Sequence, residues 1–176
     1  MAPKARLTPS LFDKIISGSE LVTGRKTDQN ANLSQNEIRA FSVGDIENFS
    51  KEMLRQSIKR DLTWLLNSLS FESAQTLSNH PNVRTSVLNY GVKDFAGRSR
   101  SSKSEMDNAR AIHNAIKRFE PRLKNVSVTP DVHDDASEVG KITYAIEGDL
   151  IVGRDFIPIR LHTDIDVEAS VVEVRD

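Results

Sequence analysis

The sequence predicts an α+β fold in which two main helices pack on a small antiparallel sheet of three to four strands. Three observations predict it. Apolar residues recur at spacings of three and four through 50–69 and again through 104–119. From residue 122 onward they alternate every second position instead. The two patterns are also segregated, helices first and strands after, whereas a parallel sheet needs them interleaved.

Residues 1–44 read as a polar arm, and 45–176 as one domain. In the arm, Leu7, Leu11, Phe12, Ile15 and Ile16 form a short stripe at helical spacing, with Thr8 as cap and Pro9 as first helical residue. That stripe docks either on its own domain or on a partner. Residues 18–35 are rich in Gly, Ser, Thr, Asn and Asp and read as loop or disorder.

Ser50 is a good N-cap for the first main helix, and Glu52 suits its positive end. Leu54, Ile58, Leu62, Leu65, Leu66 and Leu69 form the inward stripe. Lys51, Arg55 and Lys59 face water, while Asp61 borders the stripe closely enough to need a partner. Residues 67–77 read as a loop and a short helical turn. Val83 to Phe95 has no clean period, and Gly91 interrupts it, so an ordered loop or short strand is expected. Ser104 is placed to cap the second main helix, whose inward stripe is Met106, Ala109, Ile112, Ala115, Ile116 and Phe119. Pro121 disfavours helical geometry at Glu120, which ends that helix at Phe119 or Glu120.

Val126 and Val128 then alternate with polar residues up to Pro130. Ile142, Tyr144 and Ile146 mark a half-buried strand, extended by Leu150 to Val152 past a bulge. Ile157, Ile159, Leu161, Thr163, Ile165 and Val167 share one face of the next strand, opposite Arg160, His162, Asp164 and Asp166. Pro158 places the start of that strand at an edge or a bulge. Val172 and Val174 suggest a short last strand.

A net charge of −1 gives no general pull toward nucleic acid or an anionic membrane. The absence of cysteine excludes disulfides and thiolate metal sites. No apolar run approaches the ~20 residues of a membrane-spanning helix, and no signal-peptide core follows Lys4 and Arg6, so a soluble, unexported protein is expected. The basic, Ser-rich stretch 97–104 is a solvated loop or, in a sharper reading, a phosphate contact in a generic adaptor. The acidic loop 131–140, with His133, Asp134, Asp135 and Glu138, matches no EF-hand spacing. No metal, cofactor or catalytic residues are assigned.

Nucleophile-elbow, zincin, P-loop and dinucleotide motifs are all missing. Glu120 is the one candidate for a glycosidase acid, working with a second carboxylate. Arg118 and Arg122 stand two residues to either side, and nearby cations favour the ionised form, the opposite of what a general acid needs. Glu120 also opposes the helix dipole, which typically costs about 0.3–1 kcal/mol when exposed. Local stability therefore gives no reason for this residue. The reason lies in a tertiary or external partner. An internal ion pair, for example with Arg60 or Asp61, is one reading and is compatible with shaping the loop for a partner.

Three segments carry a resemblance: SIKRDLTWLLN at 57–67, SVLNYGVKDF at 86–95 and AIKRFEPRLKNVSV at 115–128. Together they resemble the type VI secretion baseplate subunit family TssE, part of the phage-baseplate "lysozyme-like" wedge family. The likeness runs from about Phe49 to the C-terminus. It departs from the family at Asn67-Ser68-Leu69, where a Thr-Arg pair is usual, and in the unusually basic loop at 97–104.

The resemblance implies a non-enzymatic, structural protein of the cytoplasm, held at the inner-membrane-docked baseplate of a contractile apparatus. It implies binding to wedge subunits (TssF, TssG, TssK) and initiation of a sheath built from TssB and TssC. Glu120, Pro121 and Arg122 map onto the family's Glu-Pro-Arg loop, implicated in wedge contacts. An edge strand offers a second contact by accepting a strand from a sheath subunit, with Pro158, Arg160, Asp164 and Asp166 restraining uncontrolled pairing. The alternative activity, cleavage of peptidoglycan by a lysozyme-like glycosidase, rests on Glu120 and the family's old label alone.

Overall fold

The computed structural model describes residues 7, 9–15, 49–95, 101–131, 141–152, 155–166 and 171–175. Thr8, Ile16, the polar stretch 18–35, the basic residues 98–100, the acidic residues 133–138 and Val167 lie outside the described residues. The chain forms two compact units, Met1–Ile58 and Lys59–Asp176. Helix α1 (Lys51–Asn67) runs through the boundary. Short helices α2 (Phe71–Ala74) and α3 (Pro81–Arg84) follow, then a 3-10 turn at Val87–Asn89 and the long helix α4 (Ser102–Phe119). Strands β1 (Leu123–Pro130), β2 (Lys141–Val152), β3 (Asp155–Asp166) and β4 (Val171–Arg175) form one antiparallel sheet in sequence order. The α+β architecture expected from the segregated periodicities is the one observed.

In the first unit, Ser50 caps α1 as expected, its hydroxyl accepting the Met53 N–H. A helical turn at 11–15 is capped by Ser10, two residues later than the sequence suggests: the Ser10 hydroxyl accepts the Asp13 N–H, and the Asp13 carboxylate accepts from Ser10. Leu11 and Ile15 are 74% and 62% exposed, while Asp13 is 1% exposed and accepts a hydrogen bond from the Ser57 hydroxyl of α1. Within this unit the capping carboxylate of the turn makes the contact with α1.

In the second unit, Leu62, Leu65 and Leu66 of α1 are buried, as are Ala109, Ile112, Ala115 and Ile116 of α4. Phe119 is half-buried, and two expected stripe residues are exposed. Leu69 lies beyond the end of α1 and is 65% exposed; Met106 is 60% exposed, and Asn108 is buried in its stead. Helix α4 starts earlier than expected, its cap being Ser101, which accepts the Ser104 N–H. The unpatterned stretch 83–95 is an ordered connection, as read. Val92 pairs with the chain just after α1: its N–H donates to Ser68 and its C=O accepts from Ser70, both at 2.9 Å. Gly91 makes this approach at φ +116°, and a Cβ there would lie 2.2 Å from the Ser68 carbonyl oxygen.

The inner face of the sheet carries Tyr144, Ile146, Ile159, Leu161 and Ile165, the alternation the sequence predicts. The bulge falls on β1 instead of β2. Asn125 and Val126 together oppose Gly148, and Asn125 takes φ +50° with its side chain on Asp149 at 2.7 Å. Strand β3 pairs with β2 along its whole length but with β4 only at 162–166. Pro158 therefore sits where β3 has one strand partner among the described residues, which is what a residue without N–H requires.

Gly91→Ala is expected to destabilise the protein by about 2–3 kcal/mol, from strain at positive φ and the clash with Ser68. A lower urea midpoint at unchanged slope would register it.

Candidate functional site: the Glu-Pro-Arg corner

Helix α4 ends at Phe119, and Glu120 is its C-cap, donating its N–H to the Ile116 carbonyl at 2.8 Å. The chain then turns. The Glu120 C=O accepts the Leu123 N–H at 3.2 Å, with Pro121 at the second position of a β-turn, where its fixed φ is favourable. The Arg122 carbonyl accepts the Ile151 N–H at 2.9 Å, so the corner is tied to β2 one residue before β1 begins. Helix and sheet meet at a backbone joint with little freedom.

The side chains lock it further. Glu120 is only 4% exposed. Arg122 grips it with two parallel bonds, Nε to Oε1 at 2.6 Å and Nη2 to Oε2 at 2.5 Å, and its own N–H adds a longer bond to Oε1. The same Nη2 reaches Asp61 Oδ2 of α1 at 2.5 Å. Asp61 Oδ1 in turn accepts from Arg60, at 2.9 Å from Nε and 2.7 Å from Nη2, and the Arg60 guanidinium lies 5.0 Å from the Trp64 ring centre. Two carboxylates and two guanidiniums thus form one balanced chain between the first helix and the corner.

Burial acts to lower the Arg122 pKa, but the hydrogen bond and charge of Glu120, followed by those of Asp61, outweigh it and hold the guanidinium protonated beyond the ordinary arginine range. Tyr90 stacks edge-on against Phe119 with ring centres 5.2 Å apart. Burial first, then the charges of Asp61 and Glu120, push its phenol above the usual range, so a neutral group stands beside the cluster.

The structure brings together Glu120, Arg122 and Asp61, and it adds Arg60. It leaves Pro121 exposed at the tip and Arg122 half-buried. It does not bring Arg118 to Glu120; Arg118 turns away and donates to the Arg84 carbonyl at 2.8 Å. Sequence reasoning missed Tyr90 and Trp64 as neighbours of the cluster, and only the one-turn spacing of Trp64 from Arg60 hinted at either. Chemically, the arrangement suits holding more than reacting. Both oxygens of Glu120 are engaged by a cation, so neither is presented as a proton donor to a substrate. Among the described residues, no group of acidic, histidine or cysteine side chains is arranged to hold a metal ion.

Such a corner defines a small α+β domain whose charged motif braces its own architecture. The model of the baseplate wedge protein gp25 family matches residues 52–154, more than half of the chain. The chain belongs to that family. Among solved structures, it is similar to a chain of "The baseplate complex from the type VI secretion system", at 18% identity and a TM-score of 0.41, over 64% of this chain and 94% of that one. No curated protein matches it.

Loss of either corner partner should not cost the same. Arg122→Met strands a buried carboxylate and is expected to destabilise by about 3 kcal/mol, the lower end for a broken buried pair because Arg122 is partly exposed. Glu120→Gln leaves Arg122 its bond to Asp61 and should cost about 1–2 kcal/mol. Urea unfolding of the two variants, giving Arg122→Met the larger loss, checks the asymmetry.

Proposed function

We propose that this protein is a non-enzymatic structural component of the baseplate of a contractile type VI secretion apparatus. In this reading it acts in the cytoplasm, near the inner membrane through the complex, and binds the wedge subunits TssF, TssG and TssK. It also initiates polymerisation of the TssB–TssC sheath. The family match supports the baseplate role, and no described helix is long and apolar enough to cross a membrane.

The observation that carries the reading is the division of labour within the corner. Glu120, buried and gripped, fixes the shape; Pro121, at the tip of the turn, and Arg122 are what a partner can reach. A surface whose backbone is already immobilised loses little conformational entropy on binding. A second contact, strand addition by a sheath subunit, is supported by the outer edge of β1 and by the first half of β3, neither of which has a second strand partner among the described residues.

Because Arg122 also supports the fold, the discriminating variant is Pro121→Asp, which alters the exposed tip alone. It should leave the unfolding free energy within about 1 kcal/mol of that of the unmodified protein, the loss expected when a proline at a compatible position is replaced. Sheath assembly in cells and co-purification of wedge subunits should both fall sharply. Normal sheaths with a folded Pro121→Asp and a folded Arg122→Ala would refute the role of the corner. Release of reducing ends from peptidoglycan by purified protein, lost in Glu120→Gln, would refute the non-enzymatic assignment.

A further inference from the structure

Strand β4 ends the sheet, so one of its edges has no neighbouring strand among the described residues. That edge is nevertheless engaged at one point. The Asn67 side chain, at the last residue of α1, donates from Nδ2 to the Val172 carbonyl at 2.8 Å and accepts the Val172 N–H on Oδ1 at 2.9 Å. Nδ2 also donates to the Thr63 carbonyl at 2.7 Å. Two carbonyls on the nitrogen side and one N–H on the oxygen side leave a single consistent orientation for the amide.

This pair of bonds reproduces what a residue of an antiparallel neighbour would make. Because Val172 faces outward, antiparallel alternation turns the backbone groups of Val174 the same way and those of Val171, Glu173 and Arg175 toward β3. The edge therefore has two rungs within the described strand, and Asn67 fills one. Asn67 is itself exposed, so it guards the edge without being buried in the core.

We propose that Asn67 is an edge guard that closes β4 against antiparallel pairing with β4 of a second copy of this chain. The strand is well suited to such pairing without it. Centred on Glu173, two copies place Val172 of each opposite Val174 of the other, using both rungs and making four backbone bonds. With Val172 engaged, the remaining register, Val174 against Val174, offers one rung, too little to offset the freedom lost on association. The like charges of the two Glu173 side chains, directly opposed in the four-bond register, oppose the same pairing.

The chain has no cysteine, which makes a specific test available. In the four-bond register the two 173 positions form a directly opposed, non-hydrogen-bonded pair, close enough for a disulfide. Under mild oxidation, full-length N67A/E173C should give about tenfold more crosslinked dimer than E173C alone, the gain expected from two additional backbone bonds. Equal crosslinking in the two proteins, or none in either, overturns the proposal. A second measurement needs no substitution. In the unmodified chain the Val172 amide should exchange with deuterium about tenfold more slowly than the Val174 amide. Equal rates, or a faster Val172, overturn it as well.

Discussion

The structure of the second unit depends on one guanidinium. Arg122 sits at the joint between the last long helix and the first strand and reaches both Glu120 beside it and Asp61 on the first helix. An exposed carboxylate at a helix C-terminus is a small liability, whereas a buried one without a cation is a large one. Burying Glu120 therefore makes the fold conditional on Arg122 being in place. The pairing also selects a geometry. Two parallel bonds to Glu120 and a third to Asp61 admit few arrangements of helix, turn and strand.

The same economy appears at the margins of the sheet, where polar side chains take over hydrogen bonds that neighbouring strands leave open. On the β1 side a bulge, with Asn125 at positive φ against Asp149, bends the edge. On the β4 side an amide from α1 occupies Val172. Between them, Pro158 removes a donor from the stretch of β3 that β4 does not reach. Edges that pair only where intended protect a sheet protein from uncontrolled association.

Much of this was legible in the sequence, for identifiable reasons. The stripe from Leu54 to Leu66 and the alternation from Ile157 to Ile165 are long enough for their period to be unambiguous, and burial follows both. Pro121 located the end of α4 to within one residue. The misses share a cause. Leu69 extended a period past the point where the helix stops, and Met106 belonged to the first turns of a helix whose exposed end the period does not reveal. Asp13 was hidden because its contact with Ser57 joins residues 44 apart and leaves no local pattern. Asn67 bonds across 105 residues of sequence, and a side-chain-to-backbone contact of that range leaves no local pattern. At the corner, the sequence raised the question of what Glu120 needs and offered Asp61 as one neighbour; only the coordinates connect the two through Arg122.

The central claim is that Asp61 and Arg122 stabilise the corner as one unit. A double-mutant cycle on the unfolding free energy, with Asp61→Asn, Arg122→Met and the double variant, measures this directly. A coupling of about 1.5 kcal/mol or more, within the range for residues sharing one ion-pair network, is the predicted result. Additivity to within about 0.3–0.5 kcal/mol, the behaviour of independent sites, would contradict the account.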